Sequence, residues 1–267
     1  MTLEELHEKL SFLYNENVET HISFYATTPT TSLCLFNIEN QFLDELKKMF
    51  IEEIKEVTEN QSPNFTLENY SSSTKQLDAI FQYDLQDDLR PEMQLMKDVK
   101  TIIEPNLFVI NPENSIDQVN GLYIVIRSAN HVISLYKHIF GVDKIYAQKS
   151  WFLVHSNQQF VKQQESMLRI SPTFQMLCID DDIIMTDIQK LERIMDLKAV
   201  LTNAATQHIA TIVNAKRLVT RSDLLEKVST EPTMAKKLIH AVTFGKVFLK
   251  NISNAVIIDF AQKKGAK

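Results

Sequence analysis

The residues in this sequence best suited to carry chemistry are three consecutive aspartates, Asp180, Asp181 and Asp182. Carboxylate oxygens are the ligands that Mg²⁺ prefers, so such a group could serve a metal-dependent nuclease. Neighbouring residues of a strand point to opposite faces, however, so at most two of the three could converge on one ion. The apolar runs on either side, 174–179 and 183–185, predict a β-hairpin with the aspartates in its turn. We therefore interpret them as a turn and predict no metal site.

Histidine and cysteine spacing points to no other known centre. The seven histidines include no HxH or HxxxH pair on one element, which argues against a zinc site. Cys34 and Cys178 have no CxxC partner and stand in apolar strand patterns, which predicts buried, reduced thiols in a cytosolic protein. A nucleophilic cysteine would need a base from a distant part of the chain. With only 4 glycines there is little support for a glycine-rich nucleotide loop, and we predict no cofactor.

The formal net charge of −6 is unevenly distributed along the chain. Residues 1–186 carry a net −13 and residues 187–267 a net +7, which predicts an acidic body followed by a basic part. Basic residues of the second part could neutralise nucleic-acid phosphates without reading sequence, or could simply form a solvated face. The candidate DNA-binding residues are Lys216, Arg217, Arg221, Lys227, Lys236 and Lys237.

Three of these candidates lie close together. Lys216, Arg217 and Arg221 fall between two predicted helices, just before a helix that begins at Ser222 or Asp223. A helix N-terminus attracts anions, so this loop is the best phosphate site that the sequence offers.

The elements that would position these residues differ between the two parts of the chain. Up to residue 186 the pattern predicts helices over 2–14, 40–59 and 91–104 and strands over 20–26, 32–38, 76–85, 106–110, 150–156 and 159–165. Residues 61–73 are predicted as a loop, and 121–140 as a strand followed by either a second strand or a short helix. The fold class predicted is α+β, a bent antiparallel sheet with inserted helices.

The rest of the chain predicts a small all-helical part. A helix capped by Thr186 or Asp187 is followed by helices over 199–214, from 222, from 230 and over 252–262. We predict two domains, an acidic α+β domain over 1–186 and a basic helical region over 187–267. The composition is 44% hydrophobic and 23% charged, and neither a signal peptide nor a spanning segment is predicted, as expected for a soluble cytoplasmic protein.

Three segments resemble the KwaB-like family, formerly a domain of unknown function. They are the run IIMTDIQKLERIM (183–195), the connection AKRLVTRSDLL (215–225) and the basic MAKKL (234–238), and the layout of residues 75–264 also fits. Members continue beyond the position of Lys267 into a strand and a helix, so no activity of that tail is carried over to this chain.

The resemblance implies a role in Kiwa anti-phage defence. It implies DNA binding, assembly with a small multi-span membrane protein at the inner face of the membrane, and self-association, for which we expect a homodimer. No catalytic signature lies in the matching segments, so the expected role is non-enzymatic. Two alternatives stay open: a Mg²⁺-dependent nuclease with carboxylates from distant segments, and a pure protein–protein interaction module whose binding surface is the acidic half.

Overall fold

An open eight-stranded sheet with helices on both faces forms the centre of the protein in the computed structural model. The structure describes residues 1–29, 33–72, 78–85, 88–103, 116–145, 153–156, 159–162, 167–214 and 231–244. The strand order is β2-β1-β5-β6-β11-β12-β4-β3. The predicted α+β class is confirmed.

The twelve described strands are mostly short. They are β1 His21–Thr27, β2 Cys34–Leu35, β3 Thr66–Asn69, β4 Ala79–Gln82, β5 Gly121–Arg127, β6 Val132–His138, β7 Lys144–Ile145, β8 Leu153–Ser156, β9 Gln159–Lys162, β10 Met167–Leu168, β11 Met176–Ile179 and β12 Asp182–Met185. The pairs β7–β10 and β8–β9 form separate two-stranded sheets.

The described helices fall into an early and a late group. They are α1 Leu3–Leu10, α2 Asn40–Thr58, α3 Pro91–Asp98, α4 Ile188–Ile194, α5 Leu197–Asn214 and α6 Pro232–Phe244. Thr2 caps α1 in a capping box with Glu5, and the carboxylate of Asp187 caps α4 by accepting the amide N–H of Lys190. The predicted start of α4 is therefore confirmed, with Asp187 as the capping residue.

Side-chain alternation along the strands divides the core into two clusters. On β5, Leu122, Ile124 and Ile126 pack on one face with Phe50 and Ile54 of α2. Tyr123 and Val125 of the same strand pack on the other face, where α3 to α6 lie. The described helices after residue 187 thus share a core with the sheet, and the division into domains at residue 186 remains a prediction.

The loop predicted over 61–73 was wrong in part, and the alternative left open over 121–140 is decided. Residues 66–69 of the predicted loop form β3, which pairs in parallel with β4, whereas the other paired strands that the structure describes are antiparallel. The ambiguous stretch 121–140 forms two strands, β5 and β6, joined by a hairpin from Arg127 to Val132. The strand predicted over 106–110 and the helices predicted from 222 and over 252–262 lie outside the described residues.

Candidate nucleic-acid interface

Two of the six predicted DNA-binding residues lie in the described part of the chain, both on α6. Lys237 is exposed, whereas its neighbour Lys236 is only 9% exposed. Lys216, Arg217, Arg221 and Lys227 fall outside the described residues, and their role stays a prediction.

Lys236 attaches α6 to the body of the protein. Its ammonium lies 4.4 Å from the centre of the Tyr70 ring, and the Tyr70 hydroxyl donates a hydrogen bond of 3.3 Å to Glu192. Burial lowers the pKa of Lys236, while the nearby carboxylates of Glu192 and Asp84 act in the opposite direction. To contact a phosphate, this side chain would have to leave the ring that it covers.

The contact at Tyr70 brings α4 and α6 together, because Glu192 belongs to α4 and Lys236 to α6. Their sequence neighbours Arg193 and Lys237 are both exposed. Lys190, one helical turn before Arg193, is 49% exposed and pairs with Asp187 at 2.6 Å. We call Lys190, Arg193 and Lys237 the α4–α6 cations.

Sequence analysis missed Lys190 and Arg193 as binding candidates. They alternate with Asp187 and Glu192, so the local net charge is close to zero and no basic run is visible. The helical period could have separated these cations from the two carboxylates, because Asp187 caps α4 and Glu192 accepts a hydrogen bond from Tyr70.

A cleft of about 480 Å³ with mixed polar and apolar walls opens beside α4. Its walls come from the end of β1, the first turn of α3, the start of β5 and the end of β6, and Ile194 of α4 closes one side. The lining includes Thr27, Thr28, Glu92, Asn120, Gly121, Tyr123, Tyr136 and His138. A Cβ on Gly121 would lie 3.0 Å from the Tyr136 ring, so glycine lets β5 and this ring approach closely.

Hydrogen bonding in the cleft centres on Tyr136 and His138. The Tyr136 hydroxyl lies 3.2 Å from Nδ1 of His138. Burial lowers the pKa of His138, aided by the positive charges of Lys144 and Arg193 and opposed by Asp143. Burial also raises the pKa of Tyr136, and Glu92 adds to this shift. Near neutral pH the pair is thus an uncharged imidazole and phenol, a set of hydrogen-bonding groups for a polar ligand.

The three aspartates lie at the predicted hairpin turn. Ile179 pairs with Asp182, so Asp180 and Asp181 are the two loop residues, and Asp180 has a positive φ of 50°. Lys9 lies 2.6 Å from the carboxylate of Asp180 and 3.5 Å from that of Asp182. The amide of Gln82 donates a further bond of 2.8 Å to Asp182. The carboxylates of Asp180 and Asp182 thus bind α1 and β4 to the hairpin.

The paired features that thiol or metal chemistry would need are not seen in the described ranges. Cys34 and Cys178 are buried and free, and burial raises the pKa of both thiols. Within the residues that the structure describes, no three His, Cys, Asp or Glu side chains are grouped so as to hold a metal ion. None of the helices in these residues combines the length and apolar character needed to cross a membrane.

Comparison with known proteins points to one family. Residues 116–265 match the family described as Kiwa protein KwaB-like. The chain is 27% identical over 264 residues to Kiwa protein KwaB of Escherichia coli O55:H7 (strain RM12579 / EPEC), an alignment that covers 96% of this chain and 82% of that protein. No solved structure matches the chain.

Proposed function

The chain belongs to the Kiwa protein KwaB-like family, and from this premise we propose that it serves Kiwa anti-phage defence by binding DNA without sequence preference. The observation that carries the proposal is the reversal of charge along the chain, from −13 over residues 1–186 to +7 over residues 187–267. Contacts between cations and phosphates release counterions, which gives affinity independent of sequence. An acidic body would repel the polyanion, so binding is directed to the basic part.

Most of this positive charge lies in segments outside the described residues. Within residues 187–214 and 231–244 the net charge is only +1, and it is the exposed side chains that matter there. The α4–α6 cations Lys190, Arg193 and Lys237 are exposed basic side chains on the two helices that meet at Tyr70. We propose that they extend a DNA-binding surface whose other part is the loop with Lys216, Arg217 and Arg221.

Charge reversal tests this surface. R193E and K237E are each expected to weaken the binding of random-sequence duplex DNA and to reduce the salt slope by about one unit, because each reversal removes one phosphate contact. The matched control is K48E, which reverses a lysine that is 79% exposed on α2, at the opposite face of the sheet. Fluorescence anisotropy against salt measures all four proteins. Equal losses in K48E would assign the effect to net charge and would refute a local surface.

We propose further that the protein acts as a homodimer, the expectation that follows from the family resemblance. In α2, Phe50 and Ile54 pack in the core, so most of the apolar stripe is used internally, but Phe42 remains 49% exposed. Light scattering at micromolar concentration should therefore give twice the monomer mass of 30.8 kDa. A mass equal to that of one chain would refute the dimer.

We also propose that the protein is cytoplasmic, that it has a membrane partner and that its role is non-enzymatic. Recruitment by a small multi-span membrane protein of the same system predicts flotation with vesicles that contain the partner and none with empty vesicles.

The ion pairs that Lys9 makes with Asp180 and Asp182 favour a structural role for the aspartate turn. Incubation with Mg²⁺ should therefore leave DNA intact, and cleavage that disappears in D181A would establish the nuclease alternative instead.

A further inference from the structure

A buried lysine at the end of β6 has only neutral hydrogen-bond partners among the described residues. Lys137 is 3% exposed, and its ammonium donates to Ser171 Oγ at 2.9 Å, to Thr173 Oγ1 at 3.1 Å and to the carbonyl oxygen of Thr173 at 3.2 Å. All three N–H groups are thus used, but the positive charge has no carboxylate at ion-pair distance in the described ranges. Burying a charge in this way is costly unless a counter-ion approaches.

Two carboxylates of this region, Asp143 and Asp187, already serve other groups. Asp143 accepts a bond of 3.1 Å from the Arg169 guanidinium, and a second bond, also 3.1 Å, from the amide N–H of Phe140. Asp187 pairs with Lys190 at 2.6 Å. Glu53 of α2 makes no ion pair with Lys137, but its negative charge, like that of Asp143, favours the charged lysine from a longer distance, against the burial that lowers the pKa of Lys137.

The two hydroxyl groups that bind Lys137, those of Ser171 and Thr173, have one hydrogen each to donate. Ser171 Oγ and Thr173 Oγ1 both accept from the ammonium, so neither hydroxyl hydrogen points towards Lys137. The two oxygens lie 3.1 Å apart, and only one of the two hydrogens can lie between them. The other O–H has no acceptor among the described residues and is polarised by the cation behind it, so it is available to a ligand.

The loop that carries these hydroxyls is held in place. Gln175, two residues after Thr173, donates its amide N–H to the carbonyl of Tyr136 at 2.9 Å, and its side-chain oxygen accepts the amide N–H of His138 at 2.7 Å. The amide N–H of Thr186 donates to the carbonyl of Gln175 at 2.9 Å. The hydroxyls are therefore positioned before any ligand arrives.

We propose that Lys137, Ser171 and Thr173 form an anion site for a phosphate group, with Arg169 and Lys190 at its rim. A tetrahedral phosphate offers several acceptor oxygens to the available O–H and to Arg169 and Lys190, whose charges act on Lys137 and which stay 60% and 49% exposed in their pairs with Asp143 and Asp187. Its negative charge would compensate the buried ammonium. The phosphate can be inorganic phosphate or a monoester, or a phosphodiester of a nucleic acid, and the site stands whether or not the chain binds DNA.

Thermal unfolding of the full chain in potassium phosphate, against potassium chloride of equal ionic strength, tests the site with inorganic phosphate as the probe. The parent is expected to gain about 3 °C in Tm at a phosphate concentration ten times Kd. S171A/T173V removes both hydroxyls at little cost in volume and should lose this gain, as should K137M. T206V, which removes an exposed hydroxyl of α5, should keep it.

The outcomes distinguish a phosphodiester from a free phosphate or monoester, and both from the absence of an anion site. If S171A/T173V also lowers the salt slope for duplex DNA by about one unit, the ligand is a phosphodiester; an unchanged slope assigns a free phosphate or a monoester. If K137M does not fold, S171A/T173V decides alone. A parent that gains nothing from phosphate, or an equal gain in S171A/T173V, overturns the proposal and leaves Lys137 as a clamp between β6 and the loop.

Discussion

Replacing Lys236 with alanine is expected to lower the free energy of unfolding by about 2 kcal/mol. The substitution removes an aliphatic stem buried between α6 and the sheet and the cation that lies 4.4 Å from the centre of the Tyr70 ring. It also leaves Glu192 and Asp84 without the positive charge that they face. Urea unfolding followed by circular dichroism measures the loss as a shift of the midpoint.

Two matched variants identify the origin of that loss. K236M keeps a long side chain over Tyr70 and removes the cost of burying a charge, so its stability should stay within about 1 kcal/mol of the parent. K237A truncates the exposed neighbour and should change the stability by less than about 0.5 kcal/mol. If K236A is as stable as K237A, Lys236 does not fasten α6 to the body.

Elements whose pattern is local were predictable from the sequence. The stripe of α2 repeats at the helical period over 19 residues, and the aspartate turn stands between two apolar runs. In both cases the residues that determine the structure are neighbours in the chain, so periodicity and turn chemistry are sufficient.

Contacts between distant segments were not predictable in this way. The sequence around β3 is polar, and it becomes a strand because it pairs in parallel with β4, which no local signal indicates. Lys236 stands in a basic helical pattern, and its burial depends on Tyr70, far away in the chain. Lys137 likewise stands in an ordinary strand pattern, and its partners Ser171 and Thr173 come from a loop that precedes β11.

The candidate site was therefore predicted only in part. The net charge of +7 over residues 187–267 is a property of composition and can be read from the sequence, whereas the exposure of each lysine depends on packing. Lys237 is exposed as expected, and Lys236 is buried. Arg193 was hidden by neighbouring carboxylates whose charges are directed elsewhere in the fold.

The second large effect is expected in the segment that contains Lys216, Arg217 and Arg221, which the sequence predicts to be a loop. K216E/R217E/R221E should weaken DNA binding equally across sequences and reduce the salt slope by about three units, one for each lost phosphate contact. The stability should change by less than about 0.5 kcal/mol, as for most surface substitutions. Gel shifts with two unrelated duplexes, with K48E as the control, measure this. A triple variant that binds with the parent's affinity and slope would place the DNA surface outside this loop.

The measurement that tests DNA binding most directly is the association constant of the full chain for duplex DNA as a function of salt. The charge reversal along the chain predicts that log K falls linearly with log salt between about 50 and 200 mM, with a negative slope of several units. The same line should be obtained for duplexes of unrelated sequence, because phosphate contacts carry no sequence information. Failure to bind at the lowest salt, or binding that does not change with salt, would contradict the proposed function.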